Sequence, residues 1–71
     1  MSEQSERVTT SLSKNGYRLT PARQAIIEAL VDSHGHITAD DLAVLVRETA
    51  PRVGRMTVYR TLDLLCDLGL V

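Results

Sequence analysis

The sequence predicts an all-α domain, a three to four helix bundle that contains a helix-turn-helix. In three segments, aliphatic residues recur at the spacing of one helix face, and each segment begins with residues that favour a helix N-terminus. No stretch before Leu70 shows the pattern of a strand. With 71 residues, the chain is long enough for one small domain with a thin core.

Before these three segments, the chain has a first segment with a weaker helical pattern. Its apolar residues are Val8 and Leu12, which lie four positions apart, and Asn15-Gly16 follows as a strong turn signal. This segment is predicted to form a short, weakly amphipathic helix at most. We expect residues 1–9 to be a flexible N-terminal segment.

The second segment has a clear start at Thr20-Pro21. The Thr20 hydroxyl can accept a hydrogen bond at the N-cap, and Pro21 suits the first helical position because its missing N–H would have no partner there. The helix is predicted to end between Asp32 and Gly35. Its core-facing residues are Ala22, Ile26, Ile27, Leu30 and Val31.

The third segment begins at Thr38, another N-cap residue, and the acids Asp40 and Asp41 suit the positive end of the helix dipole. Pro51 predicts that the helix ends at Thr49 or Ala50. The predicted core face consists of Leu42, Leu45, Val46 and Thr49.

The fourth segment lies between two glycines, with Gly54 as N-cap and Gly69 as the residue after the C-cap. Val58, Leu62 and Leu65 share the predicted core face, flanked by Thr61 and Cys66, and Tyr59 lies at the border. The opposite face carries Met56, Arg60, Asp63 and Asp67. Arg55 and Arg60 make the start of this helix basic, although helix N-termini usually favour acids.

The short connection at residues 51–54 joins the last two helices as a helix-turn-helix. In such motifs the second helix enters the major groove, where a basic start is attractive rather than unfavourable. We therefore predict DNA contacts from four residues of this helix. Arg60 can pair with guanine or phosphate, and Tyr59 can donate to phosphate or pack on a sugar or thymine methyl. The remaining two are Arg55 and Thr57.

The net charge of −1 indicates no partner, but the distribution of charge does. From residue 7 to residue 27 every charged residue is basic, and the same holds from residue 49 to residue 62. If folding brings these two blocks together, they form a phosphate-binding patch. If it does not, the surface is evenly mixed and solvated. The basic residues are Arg7, Lys14, Arg18 and Arg23 in the first block, and Arg52, Arg55 and Arg60 in the second.

Several classes of protein are disfavoured by composition. Cys66 is the only cysteine, so the chain has neither an internal disulfide nor a zinc site built from cysteine pairs. The N-terminus lacks the apolar core of a signal peptide, and no apolar run is long enough to span a bilayer. We expect a cytoplasmic protein without membrane contact. No catalytic constellation is visible, so we do not expect an enzyme.

Three stretches resemble the N-terminal DNA-binding half of the ferric uptake regulator (Fur) family. They are G-Y-R-L-T-P-A-R-Q-A-I-I-E-A-L from Gly16, H-I-T-A-D-D-L from His36 and M-T-V-Y-R-T-L-D-L-L-C-D-L-G-L-V from Met56. The resemblance covers residues 10–71 without a gap and implies a winged-helix DNA-binding domain there. In the family, G-L-V leads into the wing, so we expect the wing hairpin to be truncated and the dimerisation and metal domain to be absent.

The resemblance also implies roles for individual residues. Family contacts in the major groove correspond to Tyr59 and Arg60, with Thr57 near the backbone. Lys14 corresponds to a basic residue that reaches the minor groove or a phosphate. Arg18 and Arg23 correspond to positions that face the DNA.

The function implied is a metal-responsive transcriptional repressor that binds double-stranded DNA. The resemblance implies a homodimer on an A·T-rich palindromic operator. His36 matches a regulatory metal-ligand position, but His34 and His36 cannot complete a coordination sphere alone. We therefore expect no cofactor in this stretch of chain. In the full-length protein we expect a structural zinc and a regulatory divalent metal (iron, zinc, manganese or nickel), with His36 as one ligand.

The alternative function is a helical protein-interaction module of winged-helix type, because such bundles also serve as docking domains. A docking module is expected to expose an apolar patch. The outward face of the last helix instead carries Met, Tyr, Arg and Asp. This composition favours DNA binding.

Overall fold

The computed structural model describes residues 3–34 and 36–70. In these residues it contains four helices and no strand, which confirms the all-α prediction. The predicted wing start at Leu70-Val71 is described only as far as Leu70. The helices are α1 (Glu3–Lys14), α2 (Pro21–Asp32), α3 (Ala39–Thr49) and α4 (Arg55–Asp67).

The helix starts agree with the predictions from sequence. The hydroxyl of Thr20 accepts the backbone N–H of Arg23 at 3.2 Å, and the hydroxyl of Thr38 accepts that of Asp41 at 3.1 Å. Each bond satisfies an N–H group that has no partner inside its helix. Gly54, the N-cap of α4, has no side chain and therefore makes no such bond.

The end of α4 also agrees with the prediction. Gly69 has φ of +70°, a left-handed conformation that glycine adopts without steric cost. The N–H of Gly69 donates to the carbonyl of Cys66, and the N–H of Leu70 donates to that of Leu65. These two bonds form a Schellman motif, which satisfies carbonyl groups at the end of the helix.

Helix α2 is the centre of the bundle and contacts the other three helices, and α3 also packs against α4. Each helix contributes aliphatic residues to one continuous core. No helix within residues 3–34 and 36–70 is long and apolar enough to cross a membrane. The buried core residues are Leu12, Ile26, Ile27, Leu30, Leu42, Ala43, Val46, Val58 and Leu65.

The core differs from the prediction on three helices. On α3, Ala43 is buried and Thr49 is exposed, because the buried stripe follows the contact with α2 and α4 and turns away from the last turn. On α4, Thr61 is buried, whereas Leu62 is half-buried and Cys66 is exposed. On α2, Ala22 and Val31 are only half-buried at the margins of the face.

Helix α1 is part of the bundle, since it begins at Glu3 and packs on α2. Leu12 is fully buried and Ser5 is 2% exposed. Residues 3–9, which we expected to be flexible, are therefore helical in this structure. Their flexibility stays a prediction, and residues 1 and 2 lie outside the described residues.

Candidate nucleic-acid interface

The N-terminal half of α4 presents its polar side chains to solvent. Arg55, Thr57 and Arg60 are exposed, whereas Val58 is fully buried in the core. This division follows from the helical rotation of about 100° per residue, which turns Val58 toward the core and leaves its polar neighbours on the sides that face away from it. Because Gly54 supplies no side-chain cap, the first N–H groups of α4 keep their capacity to bind an anion.

Folding brings the two basic blocks of the sequence together between α2 and α4. Arg23 from the first turn of α2 and Arg60 from the second turn of α4 line one shallow cleft of about 240 Å³. Its other lining residues contribute hydroxyl groups or aliphatic carbon, and no acidic side chain is among the described residues around it. Guanidinium and hydroxyl donors with no opposing carboxylate suit a phosphate oxygen. The complete lining is Thr20, Arg23, Thr57, Arg60, Thr61 and Leu64.

The guanidinium of Arg23 is held in place by the loop before α2. Its Nη1 donates to the backbone carbonyl of Arg18 at 2.6 Å, and its Cζ lies 5.9 Å from the centre of the Tyr17 ring. A guanidinium has five N–H donors, so most of them remain for a ligand after this bond. The cation–π contact with Tyr17 adds a second restraint on the side chain. Tyr17 had no predicted role, although it lies within the G-Y-R-L-T-P-A-R stretch that carries the family resemblance.

Tyr59 lies at the edge of the interface and contacts α3. The residue is half-buried, as its border position predicts, and its hydroxyl donates a hydrogen bond to Oδ1 of Asp40 in the first turn of α3. This bond is the main cause that raises the pKa of the Tyr59 hydroxyl, because ionisation would remove the donated proton. Burial and the negative charge of Asp40 also raise this pKa, and the positive charge of Arg55 lowers it.

Asp40, like Tyr17, had no predicted role in the interface. The sequence suggested only that its charge suits the helix dipole. No local signal pairs Asp40 with Tyr59, since they are 19 positions apart.

The other predicted DNA-binding residues are exposed but less closely assembled. Lys14 is the last residue of α1, and Arg18 lies in the loop before α2. Both side chains are solvent-facing, and neither lines the cleft of Arg23 and Arg60. Arg18 nevertheless contributes through its carbonyl, which positions Arg23. Arg55 opens α4 and lies close enough to Tyr59 to affect its ionisation.

His36 is exposed in the loop between α2 and α3. Its backbone N–H donates to the carbonyl of Ser33 at 3.0 Å. His34, at the end of α2, has φ of +54°, a left-handed conformation unusual for a residue with a Cβ. Across residues 3–34 and 36–70, no three His, Cys, Asp or Glu side chains are grouped so that they could hold a metal ion.

Comparison with known proteins gives one consistent result. The model of the ferric uptake regulator family matches residues 14–71. The ferric uptake regulation protein of Bacillus subtilis is 39% identical over 72 residues, which cover 100% of this chain and 48% of that protein. The peroxide-responsive repressor PerR of Staphylococcus saprophyticus is 41% identical over 68 residues, or 96% of this chain and 46% of that protein.

This chain spans about half the length of the curated relatives that it matches. No solved structure matches it. The family match nevertheless begins at the last residue of α1 and includes all of α2, α3 and α4, so it contains the cleft and the start of α4 described above. The chain belongs to the ferric uptake regulator family.

Proposed function

We propose that this chain is the sequence-specific DNA-binding part of a metal-responsive transcriptional repressor of the Fur type. Helix α4 enters the major groove with its N-terminal half, and Arg60 and Tyr59 contact base edges or nearby phosphates. Arg55 and Thr57 contact the backbone at the same helix end. Lys14, Arg18 and Arg23 extend the positive surface along the DNA.

The observation that carries this proposal is the cleft shared by Arg23 and Arg60. Two arginines and three threonines line this cleft without a carboxylate among them, and a phosphate oxygen would accept hydrogen bonds from such donors. The exposed, uncapped start of α4 lies next to the cleft, since Thr57 belongs to both. Both features favour a polyanion along this face.

The distribution of apolar side chains favours DNA over a protein partner. Among the described residues, the large exposed hydrophobic side chains are few and lie on three separate segments of the chain. They are Tyr17 and Leu19 before α2, Val44 on α3 and Met56 on α4. A docking module is expected to present a contiguous apolar surface. The role proposed here is also regulatory rather than enzymatic.

The partner proposed for the whole protein is a palindromic, A·T-rich duplex bound by a homodimer. Family membership supports this proposal, because a two-fold dimer binds two half-sites related by the same symmetry. The location proposed for the protein is the cytoplasm, where a repressor has access to the DNA. Two relatives are named as a ferric uptake regulation protein and as a peroxide-responsive repressor. These names support the proposal that a metal-dependent signal controls DNA binding by the whole protein.

The proposal is tested by selecting duplexes from a library with a randomised segment of about two to three helical turns. We expect enrichment of a palindromic sequence. Binding of the selected duplex, followed by fluorescence anisotropy, should weaken as salt rises, with a slope of log K against log salt of about −3 to −5 per chain if the exposed cations contact phosphates. A library that gains no sequence preference would rule out the proposed function.

Replacing His36 by alanine is expected to reduce the gain in DNA affinity that added divalent metal produces in the full-length protein. The imidazole is a ligand that transition metals favour, and removing one ligand weakens the site without affecting the bundle core. The measurement is anisotropy of the selected duplex with and without zinc, manganese or iron(II). His34→Asn is the matched control, because asparagine tolerates the left-handed backbone at residue 34. An unchanged metal response in His36→Ala would remove His36 from the ligand set.

A further inference from the structure

The hydrogen bond between Tyr59 and Asp40 joins the proposed recognition helix to the first turn of α3. Both residues lie at the solvent boundary, where neither is needed to fill the core. Their contact therefore affects how Tyr59 meets a ligand more than whether the bundle folds.

The direction of this bond limits what the Tyr59 hydroxyl can do next. A phenol hydroxyl has one proton to donate, and a carboxylate can only accept, so the proton points to Asp40. The remaining capacity of the hydroxyl is that of an acceptor. Phosphate oxygens, guanine N7 and O6, and thymine O4 are all acceptors, so they cannot form a hydrogen bond with a hydroxyl that has no proton left to donate. The amino groups of adenine and cytosine are donors in the major groove, so they can donate a hydrogen bond to the Tyr59 hydroxyl oxygen.

We propose that Asp40 is a positioning residue that fixes the Tyr59 hydroxyl as a hydrogen-bond acceptor, so that Tyr59 selects an adenine or cytosine amino group in the major groove. This inference rests on the proposed function, in which α4 enters that groove. It replaces the expectation that Tyr59 donates to phosphate. The carboxylate of Asp40 also disfavours a phosphate at this point, because the two negative charges repel.

The electrostatics around the hydroxyl are consistent with a retained proton. Asp40 faces it from α3 and Arg55 faces it from α4. The contributions of Asp40 raise the pKa of Tyr59, and Arg55 opposes them. The hydroxyl thus stays protonated and donating at neutral pH, which keeps its acceptor side available to DNA.

The first experiment tests the contact without DNA. The tyrosine ring carbons are followed by NMR through an alkaline titration of the full-length protein, and Tyr59→Phe and Tyr17→Phe identify the Tyr59 and Tyr17 signals by their loss. We expect Asp40→Ala to lower the titration midpoint of Tyr59, because the hydrogen bond that favours the neutral form is gone. The Tyr17 signal is an internal reference, since the Tyr17 ring lies beside Arg23 in the loop before α2.

Asp41→Ala is the matched control for this experiment. Asp41 is also an exposed aspartate in the first turn of α3, but it is its backbone N–H, and not its carboxylate, that forms the hydrogen bond with the Thr38 hydroxyl. The substitution removes the same charge from the same helix end. The Tyr59 midpoint should respond more strongly to Asp40→Ala than to Asp41→Ala. Equal responses would overturn the proposal, because they would show a general charge effect and no specific bond.

The second experiment tests the base preference with the randomised duplex library. The wild-type protein should prefer adenine or cytosine on one strand at one position of each half-site. Tyr59→Phe should reduce that preference about two- to tenfold, the factor that corresponds to one ordinary hydrogen bond. Asp40→Ala should relax the same position by a similar factor, because the freed hydroxyl can also donate, and the double variant should match Tyr59→Phe alone. Asp41→Ala should leave the preference in place.

The outcomes separate this inference from the proposed function. If the wild-type protein selects a sequence but Asp40→Ala leaves every position unchanged, the positioning role is wrong and the proposed function stands. If Asp40→Ala relaxes the position equally in the Tyr59→Phe background, Asp40 acts independently of Tyr59 and the inference is also wrong. If the wild-type protein selects no sequence, the proposed function fails and the inference falls with it, even where the titration shows the contact.

Discussion

Replacing Arg60 by alanine is expected to weaken binding of the selected duplex by about 1–3 kcal/mol, the range for losing one arginine contact to a base or phosphate. Arg60 is exposed on α4 and shares its cleft with Arg23. The loss has two sources, which are the charge and the fixed geometry of the guanidinium fork. Anisotropy titrations at several salt concentrations measure the affinity and the salt slope.

Two further variants separate these sources. Arg60→Lys keeps the charge but not the fork, so a smaller loss with an unchanged salt slope would indicate bidentate recognition. Arg7→Ala is the control for general charge. Arg7 pairs with Glu3 at 3.1 Å and lines a groove with Gly69 and Leu70, which follow the C-terminus of α4. That end lies about 20 Å along the helix from Gly54. If Arg7→Ala weakens binding as much as Arg60→Ala, α4 is not the recognition helix.

Replacing Leu42 by alanine is expected to lower the free energy of unfolding by about 2–5 kcal/mol, because the substitution leaves a cavity as well as losing buried carbon. Leu42 is fully buried on α3. A chain of this size has little stability to spare, since small domains are only marginally stable. The measurement is urea unfolding followed by far-UV circular dichroism.

Val44→Ala is the matched control, two residues further along the same helix. Val44 is 55% exposed, so its substitution should change stability by less than about 0.5 kcal/mol. If Leu42→Ala does not fold at all, Val46→Ala supplies a measurable loss, because Val46 is also fully buried but has less carbon to remove. Equal stability of the Val44 and Val46 variants would contradict the assignment of the buried face of α3.

The helices could be predicted from the sequence because their signals are local. Thr20-Pro21, Thr38 and Gly69 act on backbone groups within a few residues, and the structure shows each of them in the predicted role. Periodicity located the buried faces for the same reason, since it depends only on the helical repeat. The errors fell at the margins of those faces. On α3, Ala43 is buried in place of the predicted Thr49, because the crossing of α3 with its neighbours decides where a buried stripe ends.

The candidate interface was predicted in part. The basic start of α4 and the charge blocks identified Arg23 and Arg60, but not that they line one cleft. The carbonyl of Arg18 and the ring of Tyr17 hold Arg23, and neither contact has a signature in residue spacing. All the predicted site roles stay predictions, those in DNA binding as well as that of His36 in metal binding. The residues with a predicted DNA-binding role are Lys14, Arg18, Arg23, Arg55, Thr57, Tyr59 and Arg60.

By itself, the sequence determined α2, α3 and α4, the charges that each of them carries, and the family to which the chain belongs, whereas it indicated α1 only as a possible short helix. Capping, periodicity and turn residues act over one or two helical turns, so these properties do not depend on how the helices pack. Only the tertiary structure decided that Arg23 and Arg60 line one cleft and that the Tyr59 hydroxyl donates to Asp40. These pairs are far apart in sequence, and the angle and offset between packed helices determine which side chains meet.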